Sequence, residues 1–198
     1  MKKSFIIFLT LAVILSFSAS IPAAAESYTN VEFYPGQSVY KTSSGERKMK
    51  AASFVKEGCL FIPIDSLAEI FGMKASWDKI NHKATMIYSR ERPSPEDVLR
   101  PEIITLSENS NQIIQERKVI NPKNGARILW NTDLSKWETV SDDKAPPGDS
   151  INIGKAPIVS NDVFFVPLCS GEGVYGQYYE VIFDAPKQAY ILRYLPVY

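Results

Sequence analysis

The sequence predicts an α+β chain that is mostly antiparallel β, built from two tandem repeats, each a strand, a short helix and a β-hairpin, with the second repeat degenerate. Three observations carry this. The segment around Phe61 returns near Phe165, a shift of 165 − 61 = 104 residues. Short runs of alternating or β-branched residues are punctuated by turn residues along the chain. Ile64, Leu67, Ala68 and Phe71 fall together at the i, i+3, i+4, i+7 spacing of one helical face. Internal repetition is read first because it alters every later assignment.

In the first copy the chain reads Leu60 Phe61 Ile62 Pro63 Ile64, then Phe71 Gly72, then Trp77 Asp78, then Ala84 Thr85 Met86 Ile87. In the second it reads Phe164 Phe165 Val166 Pro167 Leu168, then Tyr175 Gly176, then Phe183 Asp184, then Ala189 Tyr190 Ile191 Leu192. The Pro and Gly pairs keep one offset, and the Asp pair needs a two-residue insertion. Asp65 is positioned to cap the first helix by accepting a backbone N–H, and Gly72 to end it in the left-handed conformation. Lys74 to Trp77 and Lys83 to Ser89 read as a hairpin with Ala84, Met86 and Tyr88 on one face. Gln177 to Phe183 and Gln188 to Tyr194 form its counterpart, turned at Asp184 Ala185 Pro186 Lys187. Further strands precede each unit: Val31 to Tyr34 and Ser38 to Thr42 around Pro35 Gly36, and Glu102 to Ser107 and Gln112 to Ile120 around Glu108 to Asn111.

The units divide at Arg90 Glu91 Arg92 Pro93 Ser94 Pro95, giving a first unit over 26–92 and a second over 93–198. Ser94 followed by Pro95 Glu96 Asp97 is a helix start that Pro101 stops within two turns. Residues 131–150, with Asp142 Asp143 Lys144 Ala145 Pro146 Pro147 Gly148 Asp149, read as a loop inserted into the second unit.

Ahead of these lies a positive start, Met1 Lys2 Lys3, an apolar run from Phe5 to Leu15, and small residues ending Ile21 Pro22 Ala23 Ala24 Ala25. That is the pattern of a secretory signal cleaved after Ala25. Pro22 and three serines interrupt the stretch, which argues against a retained span of about 20 apolar residues. The expected product is secreted, extracellular or cell-wall associated, with no membrane contact after cleavage. It has 198 − 25 = 173 residues and 22 − 2 = 20 Lys+Arg against 22 Asp+Glu. Such a balance gives no electrostatic drive toward nucleic acid. Cys59 and Cys169 are too few for a disulfide scaffold and lack zinc-site spacing; in an oxidising compartment they either bridge or sit as buried thiols.

Phe61 Ile62 Pro63 Ile64 Asp65 Ser66 Leu67 Ala68 Glu69 Ile70 Phe71 Gly72, followed by Trp77 Asp78 and Lys83 Ala84 Thr85 Met86 Ile87, resembles the copper amine oxidase N-terminal-like, or stalk, domain. The resemblance implies two stalk-like units forming a non-catalytic binding or spacing module at the bacterial cell envelope, with cell-wall polymer or another envelope protein as partner. It carries no oxidase chemistry. Copper there takes three His ligands, whereas this chain has one, His82, and no cofactor or metal is expected. Asp65 and Cys169 stand where the family often has Arg. In the second copy Ser170 to Gly176 replaces the helix with a stretch holding three glycines, each worth about 1 kcal/mol against a helix.

Other motifs are weaker. Gly171, Gly173 and Gly176 spell G-x-G-x-x-G, but a strand pattern follows and no βαβ unit surrounds them. Nucleophilic catalysis would need His82, which sits in a turn. Paired carboxylates for a secreted glycan-directed hydrolase would come from Asp65, Glu69 and Asp78. A secreted partner-binding inhibitor is a third alternative. Trp130 and Trp137, with Tyr40 and Tyr175, are candidates for an aromatic platform under sugar rings, against the alternative that they pack a small β core.

Overall fold

The computed structural model describes residues 29–91, 99–131, 133, 135–141, 148–169 and 179–194. The signal-like segment, the helix expected after Ser94, and Gly171, Gly173, Tyr175 and Gly176 lie outside them. From the N-terminus the strands are β1 (Thr29–Phe33), β2 (Val39–Thr42), β3 (Gly45–Lys48), β4 (Phe54–Lys56), β5 (Cys59–Pro63), β6 (Lys74–Asp78), β7 (Lys83–Glu91), β8 (Leu99–Ser107), β9 (Gln112–Arg117), β10 (Ile128–Asn131), β11 (Lys136–Thr139), β12 (Asp149–Asn152), β13 (Ile158–Ser160), β14 (Val163–Leu168), β15 (Tyr179–Asp184) and β16 (Ala189–Tyr194). One helix, α1 (Ile64–Ile70), follows β5. The α+β, mainly antiparallel expectation holds.

Strand pairing interleaves the two parts of the chain. One five-stranded sheet has the order β15-β16-β1-β2-β3, a second β12-β9-β8-β7-β6, and a four-stranded sheet β13-β14-β5-β4. Each five-stranded sheet is therefore a hairpin from one part extended by three strands from the other. Their inner faces and that of the four-stranded sheet share one core that includes Val31, Phe33, Leu60, Ile62, Met86, Ile104, Leu106, Phe164, Val166 and Leu192. Each such side chain contributes about 1.5–3 kcal/mol on leaving water.

The registers repeat. Phe54 faces Phe61 in β4–β5 as Ile158 faces Phe165 in β13–β14, the same 104-residue shift seen in the sequence. Both hairpins turn on two residues with positive φ, Glu57 and Gly58 in one and Asn161 and Asp162 in the other, the backbone that a tight twisted hairpin demands. β5 and β14 then meet with Ile62 opposite Val166, two residues that this same shift superposes.

The helix buries Ile64, Leu67, Ala68 and Phe71 as their spacing predicts. Its start differs. Pro63 holds the N-cap position without a side-chain cap, and Asp65 falls in the first turn, where its carboxylate meets Lys50 Nζ at 2.7 Å. An acid there still suits the positive end of the helix. Gly72, at φ +67°, ends it: Gly72 N–H donates to Glu69 O at 3.1 Å and Met73 N–H to Ala68 O at 2.7 Å, a Schellman closure.

Three further expectations need correction. Pro101 lies inside β8 opposite Ser89, and its carbonyl accepts from Lys118 N–H at 3.1 Å. Residues 131–150, read as a loop, hold β11 and the start of β12, because Lys136 to Thr139 pair with β10 and Asp149 and Ser150 with β9. The last hairpins align one residue further along than the sequence comparison placed them. Asp78 faces Lys83 and Asp184 faces Ala189, so Met86 matches Leu192, both fully buried, and not Ile191. Four residues separate the facing pair in each turn, and His82 and Gln188 occupy the same left-handed position.

Cys59 and Cys169 are joined, S–S 2.06 Å and Cα–Cα 4.8 Å, across a separation of 110 residues. Closing so long a loop restricts the unfolded chain strongly. Replacing both by Ser is expected to lower unfolding stability by about 2–5 kcal/mol in urea titrations. Wild type under reductant should match the double variant, and an unchanged midpoint in both would mean that the bridge adds nothing to the strand pairing.

Candidate functional site

Inward-facing positions on β1, β2 and β3 are Thr29, Val31 and Phe33, then Tyr40 and Thr42, then Arg47, because side chains alternate along a strand and cross-strand partners share a face. Val31, Phe33 and Tyr40 enter the core. Thr29, Thr42 and Arg47 sit where the sheet runs past it, and the C-terminal end of α1, at Glu69 and Ile70, closes over them. The result is a cleft of about 230 Å³ lined also by Ser43, Ser44 and Tyr194.

Its walls are polar and partly committed to one another, the Tyr40 hydroxyl being bound to the Glu69 carboxylate. Tyr194 OH donates to Ile70 O at 2.9 Å, and the Thr42 hydroxyl is bound to Ser44 and to Gly45 O. Arg47 is exposed and has no ion pair among the described residues. Tyr40 is 2% exposed; burial, and then the neighbouring Glu69 carboxylate, push its hydroxyl up to about 12, so it stays a neutral donor and acceptor. A second cavity of equal size, beside the β4–β5 turn, has Glu57 and Lys155 paired with each other at 2.5 Å. There the opposite charges satisfy one another; in the cleft Arg47 and Glu69 do not.

The sequence candidates separate. Trp130 and Trp137 are direct cross-strand partners on the β10–β11 ribbon, which is a two-stranded sheet of its own linked to the body through Ile120. Partners of this kind share one face of a ribbon. Tyr40 is a core residue of another sheet and belongs to no platform with them. Trp77 packs on Phe164, ring centroids 6.0 Å apart, with Lys79 Nζ over its ring.

Asp65 is paired with Lys50. Asp78 is exposed at the β6–β7 turn, where Ile80 and Asn81 N–H donate to Oδ1 at 3.0 and 3.1 Å; the hydrogen bonds from Asn81 hold its carboxyl below the ordinary range. Asp65 and Glu69 lie one turn apart on α1, Asp65 turned to Lys50 and Glu69 to the cleft, while Asp78 ends β6. His82 Nδ1 lies 2.7 Å from Glu108 on the surface, and both cysteines are spent in the disulfide. Among the described residues no three His, Cys, Asp or Glu side chains gather as metal ligands, and no helix is long and apolar enough to cross a membrane.

Sequence reasoning missed the cleft. Its signal was there: Thr29, Thr42 and Arg47 place polar groups at the inward beat of strands whose other inward residues are Val31, Phe33 and Tyr40.

The fold and the cleft define a small antiparallel β module with a polar recess and an appended ribbon. Residues 20–86 match the family model of the copper amine oxidase N-terminal domain, a family of non-catalytic modules. The rest of the chain lies outside the match. No curated protein and no solved structure matches the chain.

Because burial is the larger cause of the Tyr40 shift, Glu69→Gln should lower its value from about 12 while leaving it above the ordinary 10.0. A raised folded-state value means stabilisation complete below that ordinary value and lost as pH rises through the folded one. Tyrosine ring NMR signals followed from neutral to alkaline pH check both points; a Tyr40 titrating normally in wild type would contradict the burial account.

Proposed function

We propose that residues 1–25 export this chain and that the remainder works as a secreted, non-catalytic binding module at the bacterial cell envelope, holding cell-wall glycan. The match of residues 20–86 to that family supports the non-catalytic part of this reading. The glycan part is supported by the register that sets Trp130 opposite Trp137 on a ribbon separate from the three packed sheets, since aromatic residues suit the apolar faces of sugar rings. We take the two parts of the chain, 29–91 and 99–194, as two copies of one unit that exchange their first strands. The recurring 104-residue shift in the hairpin registers and the matched left-handed turn residues support this. The ribbon is then an insertion between β9 and β12 with no counterpart between β2 and β3.

Retention of the chain from Glu26 onward on purified bacterial cell wall tests the reading. Substantial sedimentation with the wall is expected, falling by about tenfold or more when Trp130→Ala and Trp137→Ala are combined, since base-like or sugar-like stacking on one ring is worth about 1–3 kcal/mol. No retention, together with capture of a single secreted protein, would replace it with a partner-binding role.

A further inference from the structure

The two five-stranded sheets have the same strand order, so each position in one has a counterpart in the other, and the counterparts of the cleft residues differ in a telling way. Counting along the paired strands, Thr29 corresponds to Glu102, Tyr40 to Ile113, Thr42 to Gln115 and Arg47 to Ile151. In the second sheet Gln115 Nε2 donates to Glu102 Oε1, each residue is only 8% exposed, and Ile151 packs on the core. Two long polar side chains fill that recess and satisfy each other. In the first sheet two threonines leave it open, and Tyr40 and Arg47 add donors in place of two isoleucines.

From this contrast we infer that the cleft between Thr29, Tyr40, Thr42, Arg47 and Glu69 is a binding site for a single sugar ring. The chemistry narrows the ligand. Arg47 offers only donors and Glu69, held in place by the Tyr40 hydroxyl, only acceptors, while the hydroxyls of Ser43 and Ser44 serve as either. A polyol presents the same mixture, since each of its hydroxyls both donates and accepts. An anion would meet Glu69, a cation would meet Arg47, and an apolar group would strip water from both without replacing its hydrogen bonds. Ile70, half-buried at the end of α1, supplies apolar wall for the ring's carbon face. The volume, about 230 Å³, has room for one ring. The inference rests on the envelope reading for the source of the sugar and on the cleft alone for its chemistry.

The test titrates the whole chain from Glu26 with glucose, with N-acetylglucosamine and, separately, with glycine and acetate, following backbone amide NMR shifts. Saturable shifts at Thr29, Thr42 to Arg47 and Glu69 with at least one sugar are expected. Arg47→Ala and Glu69→Gln should each weaken binding by about tenfold or more, the usual loss for a hydrogen bond to a charged group. The Thr29→Glu, Thr42→Gln double variant, which copies the filled recess of the other sheet, should stay folded by circular dichroism and lose the sugar shifts. Binding that persists in this variant overturns the inference, as does saturation by glycine or acetate alone. Sugar shifts confined to the β10–β11 ribbon and abolished by Trp130→Ala with Trp137→Ala would also overturn it while leaving the envelope reading standing. Intact cleft binding without any retention on cell wall would remove the envelope reading and leave the cleft.

Discussion

Between β5 and β14, Ile62 lies opposite Val166 with neither side chain exposed to water, and the other elements take their places from that pairing. An antiparallel register fixes which side chains share a face, and a slip by one residue would turn the whole apolar set outward. With Ile62 against Val166, the pairs Leu60–Leu168 and Phe61–Pro167 follow; Leu60 and Leu168 point to the common core while Phe61 and Phe165 form a separate cluster on the opposite face with Phe54. One step beyond Leu60–Leu168 come Cys59 and Cys169, so the same register sets the sulfurs within bonding reach. The disulfide is thus a consequence of strand order that then holds it.

Around that central pair strands from the two parts of the chain interleave, β1 pairing with β16 and β8 with β7. Ion pairs follow the same seams, Lys79 with Asp162 at 2.9 Å and Lys187 with Glu32 at 2.6 Å, but their exposed ends make them minor beside the buried apolar faces. Pairing β1 with β16 and β5 with β14 adds contacts distant in sequence to the local hairpins, and such contacts form slowly because loop closure precedes their reward. The free edge at β3 carries Glu46, Arg47 and Lys48, all exposed, and such charges discourage another chain from adding to it.

Much of this was legible because period and spacing are local. Ile64, Leu67, Ala68 and Phe71 fixed the buried face of α1, Gly72 fixed its end, and Pro35 Gly36 and Asp184 to Lys187 marked turns that are turns. What failed required knowledge of partners. Asp65 looks like a cap until Pro63 is seen in the cap position. Ala84 and Ala189 look equivalent because both are alanine, yet cross-strand geometry counts from Asp78 and Asp184. Pro101 breaks a helix but is tolerated in β8, since strand pairing that the sequence does not announce supplies the neighbours. The fate of Cys59 and Cys169 depended on the same missing register. The Trp130–Trp137 pairing depends on strands within 131–150 that turn-rich composition hides, and the cleft shows in sequence only as polar residues at the inward beat of β1, β2 and β3, because α1 and β16 supply the rest of it.

The cleft also has a cost that demands explanation. An inward-facing polar group at a sheet end must find a partner, reach water, or be replaced by an apolar one. The second sheet uses the first and third solutions, with Glu102 held by Gln115 and isoleucines at 113 and 151. The first sheet leaves Thr29 and Thr42 half-buried and Arg47 exposed, and in doing so gives up the apolar contact that side chains as large as isoleucine would make. A chain under pressure for stability alone has the better packed version within its own sequence. Keeping Thr29, Thr42 and Arg47 open beside a Tyr40 whose proton is held to about pH 12 preserves a set of donors and acceptors aimed at one small volume, and such a set is of use only to something that enters it.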